Sequence, residues 1–484
     1  MLKAFFKDTV LYGLAAVLPR VINLFLVAVF TMVLGKVDFS DQTTWYVYAA
    51  FINVILTMGI ETSFFRYYTS ESNKQGVLAT SSFLLMLTSG IFLIFGLFFA
   101  GSVSSFLGFE EVILVKLLVI ITVLDTLVVI PFAYLRVTGR PVRYMIVKLL
   151  NVLILFLVTV YFLIVVPKFS YEQLQIIPFL GDSTTFTPGV VHIILANLIA
   201  SLLTVLILLP EWWKVQWKVD KVILVKLLTY GWPIMVGGIA YAINENLDKL
   251  IIQELIDKES NGVYAACYKL GVFMTLYITA FRLGAEPFFF RQAHTVDAKQ
   301  KYSKVMTWFV IFGCICMVCV TLYIDLFAGI IIRNTMYREG LTIVPILLLA
   351  NLFSGIYNNL SIWYKLTDKT KFGMYISIIG AVITIGSLYF FVPLLGILGG
   401  AVATLFTYGI MMIISWYLGQ KHYPVPYELA KIWRMIAISA IVCAISFYVY
   451  RANFMINTLI LIAYFGTLYL LLKSEIQDLI VSKK

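Results

Sequence analysis

Long apolar segments recur along the whole chain, and each is bounded by charged or turn-forming residues. A helix that crosses a bilayer needs roughly 20 apolar residues, which is the length of these segments. The pattern predicts an all-α polytopic membrane protein with about 14 transmembrane helices. The first segment is too long for the apolar part of a signal peptide, so we count it as a span. The predicted spans are 9–34, 44–68, 79–100, 112–135, 144–166, 189–210, 227–246, 263–290, 305–326, 341–364, 372–392, 397–418, 432–450 and 454–472.

The composition excludes an ordinary soluble protein. The 484 residues are 61% hydrophobic and 13% charged, whereas soluble domains are about 45–50% apolar and about 25% charged. Charged residues this sparse cannot cover the surface of a large fold in water. The solvent of most of the surface is therefore expected to be lipid.

Basic residues are distributed unequally between alternate connections. If the N-terminus is inside, 25 of the 36 Lys and Arg residues fall in cytoplasmic connections and 7 in outer ones. Because basic loops are retained in the cytoplasm, both termini are predicted to be cytoplasmic. The net charge of +11 then reflects topology, and no nucleic-acid partner is expected. The sequence has no metal-ligand spacing and no phosphate-binding glycine motif, so neither a metal nor another cofactor is expected.

Two segments near the cytoplasmic ends of spans repeat within the chain. GIETSFFR (Gly59–Arg66) ends the second span, and GAEPFFFR (Gly284–Arg291) ends the eighth. VYAA precedes each copy, and the first and seventh spans each contain a proline, Pro19 and Pro233. We interpret this as duplication of a six-helix unit. It predicts an N-terminal lobe of helices 1–6, a C-terminal lobe of helices 7–12 and an appendage of helices 13 and 14, with the bounds 1–212, 213–419 and 420–484.

These features, with YGWPIMVGGIAYAINENLDKLIIQELI (Tyr230–Ile256) and the GVYAACYKLG that follows shortly after it, resemble the polysaccharide and lipid-linked oligosaccharide flippases. Those belong to the multidrug/oligosaccharidyl-lipid/polysaccharide (MOP) exporter superfamily. The resemblance covers nearly the whole chain in outline. It implies first and seventh helices broken at their prolines, and a transporter rather than an enzyme. The implied substrate is a polyprenyl-pyrophosphate-linked oligosaccharide, a surface-polysaccharide precursor, moved by alternating access across the bacterial cytoplasmic membrane. The implied protein is a monomer among membrane lipids, with Na+ or H+ as possible coupling ions.

Ionisable residues inside the spans are the candidate functional residues, because each costs at least about 2.5–3.5 kcal/mol in the bilayer. Arg20, Arg66 and Arg282 are the predicted substrate-binding cations, since a guanidinium group binds phosphate oxygens in pairs and keeps its charge. In the resembled family, the helices that carry them line the cavity between the lobes. The alternatives are an ion pair with another helix for Arg20 and snorkelling to the membrane surface for Arg66.

Two acidic residues could neutralise these cations or bind a coupling ion. Glu286 lies four residues after Arg282 on the same helical face, so a pair between them is as plausible as a free arginine. Asp125 falls near the centre of the fourth span. We expect it to pair with a basic residue of its own lobe, and coupling to a proton or sodium ion is the alternative.

Three further acidic residues complete the set of candidates for pairing or coupling. Glu61 lies about 140° around the helix from Arg66, so a salt bridge between the two is not expected. Glu245 and Asp248 lie beside Lys249 at the predicted outer end of the seventh span. We expect this group to form a solvated cap, with a gate as the alternative.

Three other functions stay open at this point. A multidrug exporter of the same superfamily would move organic cations and would need net acidic groups in its cavity, which the three arginines disfavour. A lipid II flippase would need the same cations as the proposed flippase. A membrane glycosyltransferase or polysaccharide ligase would need carboxylates on a substantial outer connection. The longest one, 167–189, holds only Glu172 and Asp182 as acids.

Overall fold

A computed structural model describes residues 2–168, 189–293, 295–367, 369, 371–451 and 453–481. All regular secondary structure in these residues is helical. Thirteen helical segments are long and apolar enough to cross a membrane, and the first helix adds a shorter apolar stretch, Val17–Val33. The predicted all-α polytopic fold is confirmed. The long connection with Glu172 and Asp182 lies largely in 169–188, outside the described residues. The long helices are α1 (Leu2–Val33), α2 (Lys36–Ser70), α3 (Lys74–Phe98), α4 (Val112–Val137), α5 (Pro141–Lys168), α6 (Val190–Trp212), α7 (Lys221–Leu255), α8 (Lys258–Gln292), α9 (Ala298–Leu322), α10 (Thr335–Leu366), α11 (Lys371–Leu395), α12 (Ile397–His422), α13 (Leu429–Val449) and α14 (Phe454–Val481). Two short helices, Ala100–Leu107 and Ile324–Ile331, lie in the connections that follow α3 and α9.

Successive helices run in alternate directions, so α1 begins and α14 ends at the same side of the molecule. We call this side the termini face and the opposite side the far face. We call α1–α6 the N-lobe and α7–α12 the C-lobe. Helix α13 packs on α9 of the C-lobe, and α14 joins α13 through buried hydroxyl and amide contacts. Ser439 bonds Tyr464 at 2.8 Å, and Ser446 donates to Asn457 at 2.8 Å.

Helix α2 contains a sharp break at Met58 and Gly59, whose φ angles are 46° and 68°. Glycine adopts this left-handed conformation without a steric penalty, whereas methionine does not. Contact with α7 also requires glycine at this position, because a Cβ at Gly59 would lie 2.5 Å from the backbone oxygen of Gly231. The break therefore lets the backbones of α2 and α7 touch.

The breaks predicted at Pro19 and Pro233 are wrong, since α1 and α7 run through both prolines as continuous helices. Neighbouring helices and side chains in a membrane protein can accommodate the lost backbone hydrogen bond. Interruptions occur elsewhere, at Met58 and Gly59 of α2, at Val128 of α4, at Ser361 of α10, and in α8, where a 3-10 turn spans Lys269–Gly271. Helix α7 also continues to Leu255, nine residues beyond its predicted end.

Candidate functional site

The two lobes touch at the far face through a network of uncharged polar side chains. Ser40 and Thr44 of α2 both donate to the Gln253 Oε1 of α7, at 3.1 and 2.6 Å. Asn261 of α8 donates to the Ser40 Oγ at 2.7 Å. We call this contact between α2 and the facing ends of α7 and α8 the far seam. These hydrogen bonds join neutral groups and are exchangeable for water when the lobes separate.

The far seam is also tight at the backbone. A Cβ added to Gly262 of α8 would lie 2.0 Å from the backbone oxygen of Lys36, so only glycine allows this approach. Two ion pairs flank it. Lys258 lies 2.9 Å from Asp41, and Lys36 lies 2.7 Å from Glu339. The far face is thus closed between the lobes in this conformation.

A second contact joins the lobes toward the termini face. The Ser63 Oγ of α2 donates to the Leu227 backbone oxygen of α7 at 3.1 Å, close to the Gly59–Gly231 approach. Lys226 pairs with Glu71 at 2.7 Å. We call this contact the termini seam. The molecule therefore has one seam between the lobes at each side of its centre.

A cavity of about 310 Å³ lies between the lobes, next to the far seam. We call it the central cavity. Its wall mixes apolar residues of α1 and α2 with polar residues of both lobes. The polar members are Asn23, Gln42, Thr43, Tyr46, Asn246, Lys249 and Lys269. The two lysines were not assigned to a cavity from the sequence. Lys249 is paired with Asp248 at 2.7 Å, so Lys269 is the cation that gives the C-lobe side of this wall its positive charge.

Arg20 lies one helical turn from Asn23 on the same face of α1, so it points to the space next to the central cavity, toward the termini face. Its Nη1 donates to the Thr279 hydroxyl and, at 3.4 Å, to the Thr275 backbone oxygen of α8. The side chain is exposed. No carboxylate of the described residues lies within 4.0 Å of it, so the alternative of an ion pair on another helix is not seen here.

Arg282 of α8 is likewise exposed and has no ion pair within 4.0 Å among the described residues. Glu286 pairs instead with Lys365 of α10, at 2.5 Å. The carboxylate that could have neutralised Arg282 is therefore paired with a lysine.

Tyr241 of α7 links these two arginines in space. It interacts electrostatically with Arg20, Arg282 and Glu245, and it is 61% exposed although it lies in the middle of a membrane helix. Two of the three predicted cations therefore lie near Tyr241, where α1 of the N-lobe meets α8 of the C-lobe. Arg282 also lines a cavity of the C-lobe, together with Glu286 and Lys365. The third, Arg66, lies at the termini seam, where its guanidinium carbon is 4.4 Å from the Tyr230 ring centroid.

Glu245, Asp248 and Lys249 do not form the predicted solvated cap. The Lys249 ammonium lies 2.7 Å from Asp248 Oδ1 and 2.9 Å from the Glu245 backbone oxygen. Asp248 and Lys249 are only 4% and 5% exposed. Tyr264 donates to Asp248 at 2.7 Å, and Tyr408 donates to Glu245. The charges are satisfied inside the protein, which is why α7 continues past them.

The N-lobe contains a second polar cavity, of about 370 Å³, which we call the N-lobe cavity. Asp125 accepts a hydrogen bond from Ser201 at 2.7 Å and shares this cavity with Lys148. The two charges face each other but lie more than 4.0 Å apart. Glu61 pairs with Arg136 at 3.3 Å, not with Arg66.

Comparison with known proteins identifies relatives of this architecture. The family described as "Polysaccharide biosynthesis protein" matches residues 184–283. The structure is similar to the lipid II flippase MurJ in an inward closed conformation, with a TM-score of 0.72 at 17% identity over 96% of this chain and 100% of that one. An inward-facing MATE family multidrug resistance transporter of the MOP superfamily gives 0.65 at 14% identity, over 86% and 95%. A MOP superfamily transporter from Pyrococcus furiosus, described by the reverse polarity of its binding pocket, gives 0.60 at 14% identity, over 87% and 95%. No curated protein matches the sequence.

Proposed function

We propose that this chain, a multi-pass membrane protein with the fold of MOP superfamily transporters, is a flippase for a polyprenyl-pyrophosphate-linked oligosaccharide. The observation that carries the proposal is the pair of exposed arginines, Arg20 and Arg282, which lie near Tyr241 without a carboxylate partner among the described residues. Lys269 adds a further basic group to the wall of the central cavity. A surface-polysaccharide precursor in the bacterial cytoplasmic membrane is the substrate class that fits.

The physical reason for such a site is the charge of the substrate. A pyrophosphate group cannot cross hydrocarbon unaided, because the desolvation of an unpaired anion is very costly. Two guanidinium groups on opposite lobes can each bind phosphate oxygens in a bidentate manner and remain charged at any physiological pH. The lipid tail stays in the bilayer while the head group passes between the lobes.

Alternating access follows from the two seams. We take residues 1–212 and 213–419 as the units that move, with 420–484 carried on the second unit, and the termini face as cytoplasmic. The head group enters when the termini seam is open, is held by Arg20 and Arg282, and leaves when the far seam opens. Arg66, stacked on Tyr230 at the termini seam, is placed to meet the phosphates first. The transporter acts as a monomer, and Asp125 and Glu245 are the candidates for coupling to H+ or Na+.

Two related transport functions remain as alternatives, each with one observation behind it. Similarity to MATE transporters makes export of organic cations one alternative. The carboxylates of Glu61 and Glu286, however, are paired with Arg136 and Lys365. The space near Arg20 is then not net acidic, which disfavours a cationic substrate. Similarity to MurJ makes lipid II, which also carries a pyrophosphate, an alternative substrate. A membrane glycosyltransferase or ligase has no support from a transporter fold.

Transport by purified protein in liposomes tests the proposal. We expect a fluorescent polyprenyl-pyrophosphate oligosaccharide to be flipped, an organic cationic dye not to be exported, and Arg20→Ala to lower flipping at least tenfold. The matched control is Arg434→Ala on α13, because among the described residues that exposed guanidinium bonds only the Ala430 backbone oxygen of its own helix, at 3.1 Å. Export of the dye alone would contradict the proposal. Equal activity of wild type and Arg20→Ala would also contradict it.

A further inference from the structure

Four polar residues on one face of α2 line the two cavities. Gln42, Tyr46, Asn53 and Thr57 are separated by four, seven and four residues, so they share a helical face. Gln42 and Tyr46 line the central cavity. Asn53 and Thr57 line the N-lobe cavity. The two cavities are therefore neighbours along the same helix.

Tyr46 marks the passage from one cavity to the other. Its ring lines the central cavity, while its hydroxyl accepts a hydrogen bond from Asn197 of α6 at 3.4 Å. The same hydroxyl interacts electrostatically with Asp125 on the N-lobe side. A head group held in the central cavity would thus meet a polar route into the N-lobe.

The N-lobe cavity is lined by groups that both donate and accept hydrogen bonds. Asn53, Asn151, Thr57 and Thr204 supply two carboxamides and two hydroxyls. Both hydroxyls donate to backbone oxygens of their own helices, at 2.7 and 2.8 Å, so they offer acceptor oxygens to the cavity. Asn151 Nδ2 donates to Thr204 Oγ1 at 2.9 Å, which fixes the amide, and its oxygen has no donor among the described residues. Phe132 adds one aromatic ring to the wall.

The charges around this cavity balance. Asp125 and Lys148 line it with opposite signs, and the Lys148 ammonium lies 4.3 Å from the Phe132 ring centroid. Glu61 and Arg136, which also act on Lys148, form their own pair. Asp125 disfavours a second phosphate in the cavity, and Lys148 disfavours an organic cation. A neutral ligand rich in hydroxyl groups satisfies the lining best.

We propose that the N-lobe cavity binds sugar rings of the transported head group, while its pyrophosphate lies between Arg20 and Arg282. This inference rests on the proposed function and adds the part of the site that reads the glycan. The cavity volume of about 370 Å³ is within the range of small-molecule sites. The carboxamides and hydroxyls of Asn53, Asn151 and Thr204 are the groups that would select among sugars.

Binding of two lipids to the full-length purified chain tests this inference. One probe is polyprenyl pyrophosphate without sugar, and the other is polyprenyl pyrophosphate that carries a disaccharide. We expect Asn151→Ala and Thr204→Val each to weaken binding of the disaccharide lipid at least fivefold and to leave the sugar-free lipid within twofold. Arg20→Ala should weaken binding of both lipids. Thr467→Val is the matched control, because in the part of the chain that the structure describes that hydroxyl bonds only the Ala463 backbone oxygen within α14, at 3.0 Å.

The sugar-free lipid also reports whether each variant is folded, so a misfolded variant cannot imitate a lost sugar contact. No loss for either lipid in Asn151→Ala and Thr204→Val would overturn the glycan site and leave the proposed function standing. Equal losses for both lipids in variants that unfold at the wild-type temperature would overturn it as well. Wild-type protein that binds neither lipid would contradict the proposed function itself.

Discussion

Replacement of Gly262 by alanine should shift the protein away from the conformation in which the far seam is closed. The new Cβ would lie 2.0 Å from the Lys36 backbone oxygen, whereas real Cβ contacts essentially never fall below 3.0 Å. The obstacle is backbone, so α2 and α8 must separate by about 1 Å. Overpacking of this kind costs about 1–3 kcal/mol, which corresponds to a shift of about 5- to 150-fold in a conformational equilibrium.

The intrinsic helix preference of alanine over glycine, about 1 kcal/mol, does not oppose this shift. Residue 262 lies within α8 and is expected to remain helical in both conformations, so the preference cancels between them. Only the contact with Lys36 differs.

A membrane-impermeant maleimide can measure the shift. Thr43 lines the central cavity and is 6% exposed, so a cysteine there should react slowly from the far side in the Thr43→Cys protein. We expect Gly262→Ala to speed that reaction at least fivefold. Gly329→Ala is the control, because a Cβ there meets nothing within 4 Å, and protein with the native Thr43 gives the background from the natural cysteines. An unchanged labelling rate in Gly262→Ala would refute the backbone contact as a determinant of closure.

Three further substitutions test separate parts of the structure. Lys365→Met should free Glu286 to pair with Arg282 and so weaken pyrophosphate-lipid binding about two- to tenfold. The further substitution Glu286→Gln should restore the affinity, and a double variant that stays weak would contradict the explanation. Glu211 is 2% exposed and forms ion pairs with three basic residues. Glu211→Gln should therefore lower the free energy of unfolding by about 1–3 kcal/mol without changing lipid affinity. Gly231→Ala would place a Cβ 2.5 Å from the Met58 backbone oxygen. It should therefore loosen the termini seam and slow the maleimide reaction from the far side, and faster labelling would contradict that direction.

The sequence predicted the helical spans well because lipid exposure imposes long apolar windows. Helix α13 was expected at 432–450 and is found at Leu429–Val449. The predicted end of the seventh span was wrong because, in the sequence, Glu245, Asp248 and Lys249 have the appearance of a surface cluster. Their partners, among them Tyr264 and Tyr408, come from other helices, and no local pattern shows that the charges are buried.

The candidate site was predictable only in part. Intramembrane position identified Arg20 and Arg282, because charges in a span require a cavity or a partner. Whether Arg282 is free depends on Lys365, which is 79 residues away from Glu286 in the chain. Spacing alone favoured neither outcome. Lys269 carried the same signal as the arginines, an ammonium inside a predicted span, but its place in the central cavity depends on how α8 meets α2 and α7.

The most direct test of the central claim measures what the arginines bind. The affinities of sugar-free polyprenyl pyrophosphate and of uncharged polyprenol should be compared on wild type and on the Arg20→Ala/Arg282→Ala double variant. We expect wild type to bind the pyrophosphate at least tenfold more tightly than the alcohol, and the double variant to lose that preference. Equal affinities in wild type, or a preference that survives in the double variant, would contradict a cationic site between the lobes.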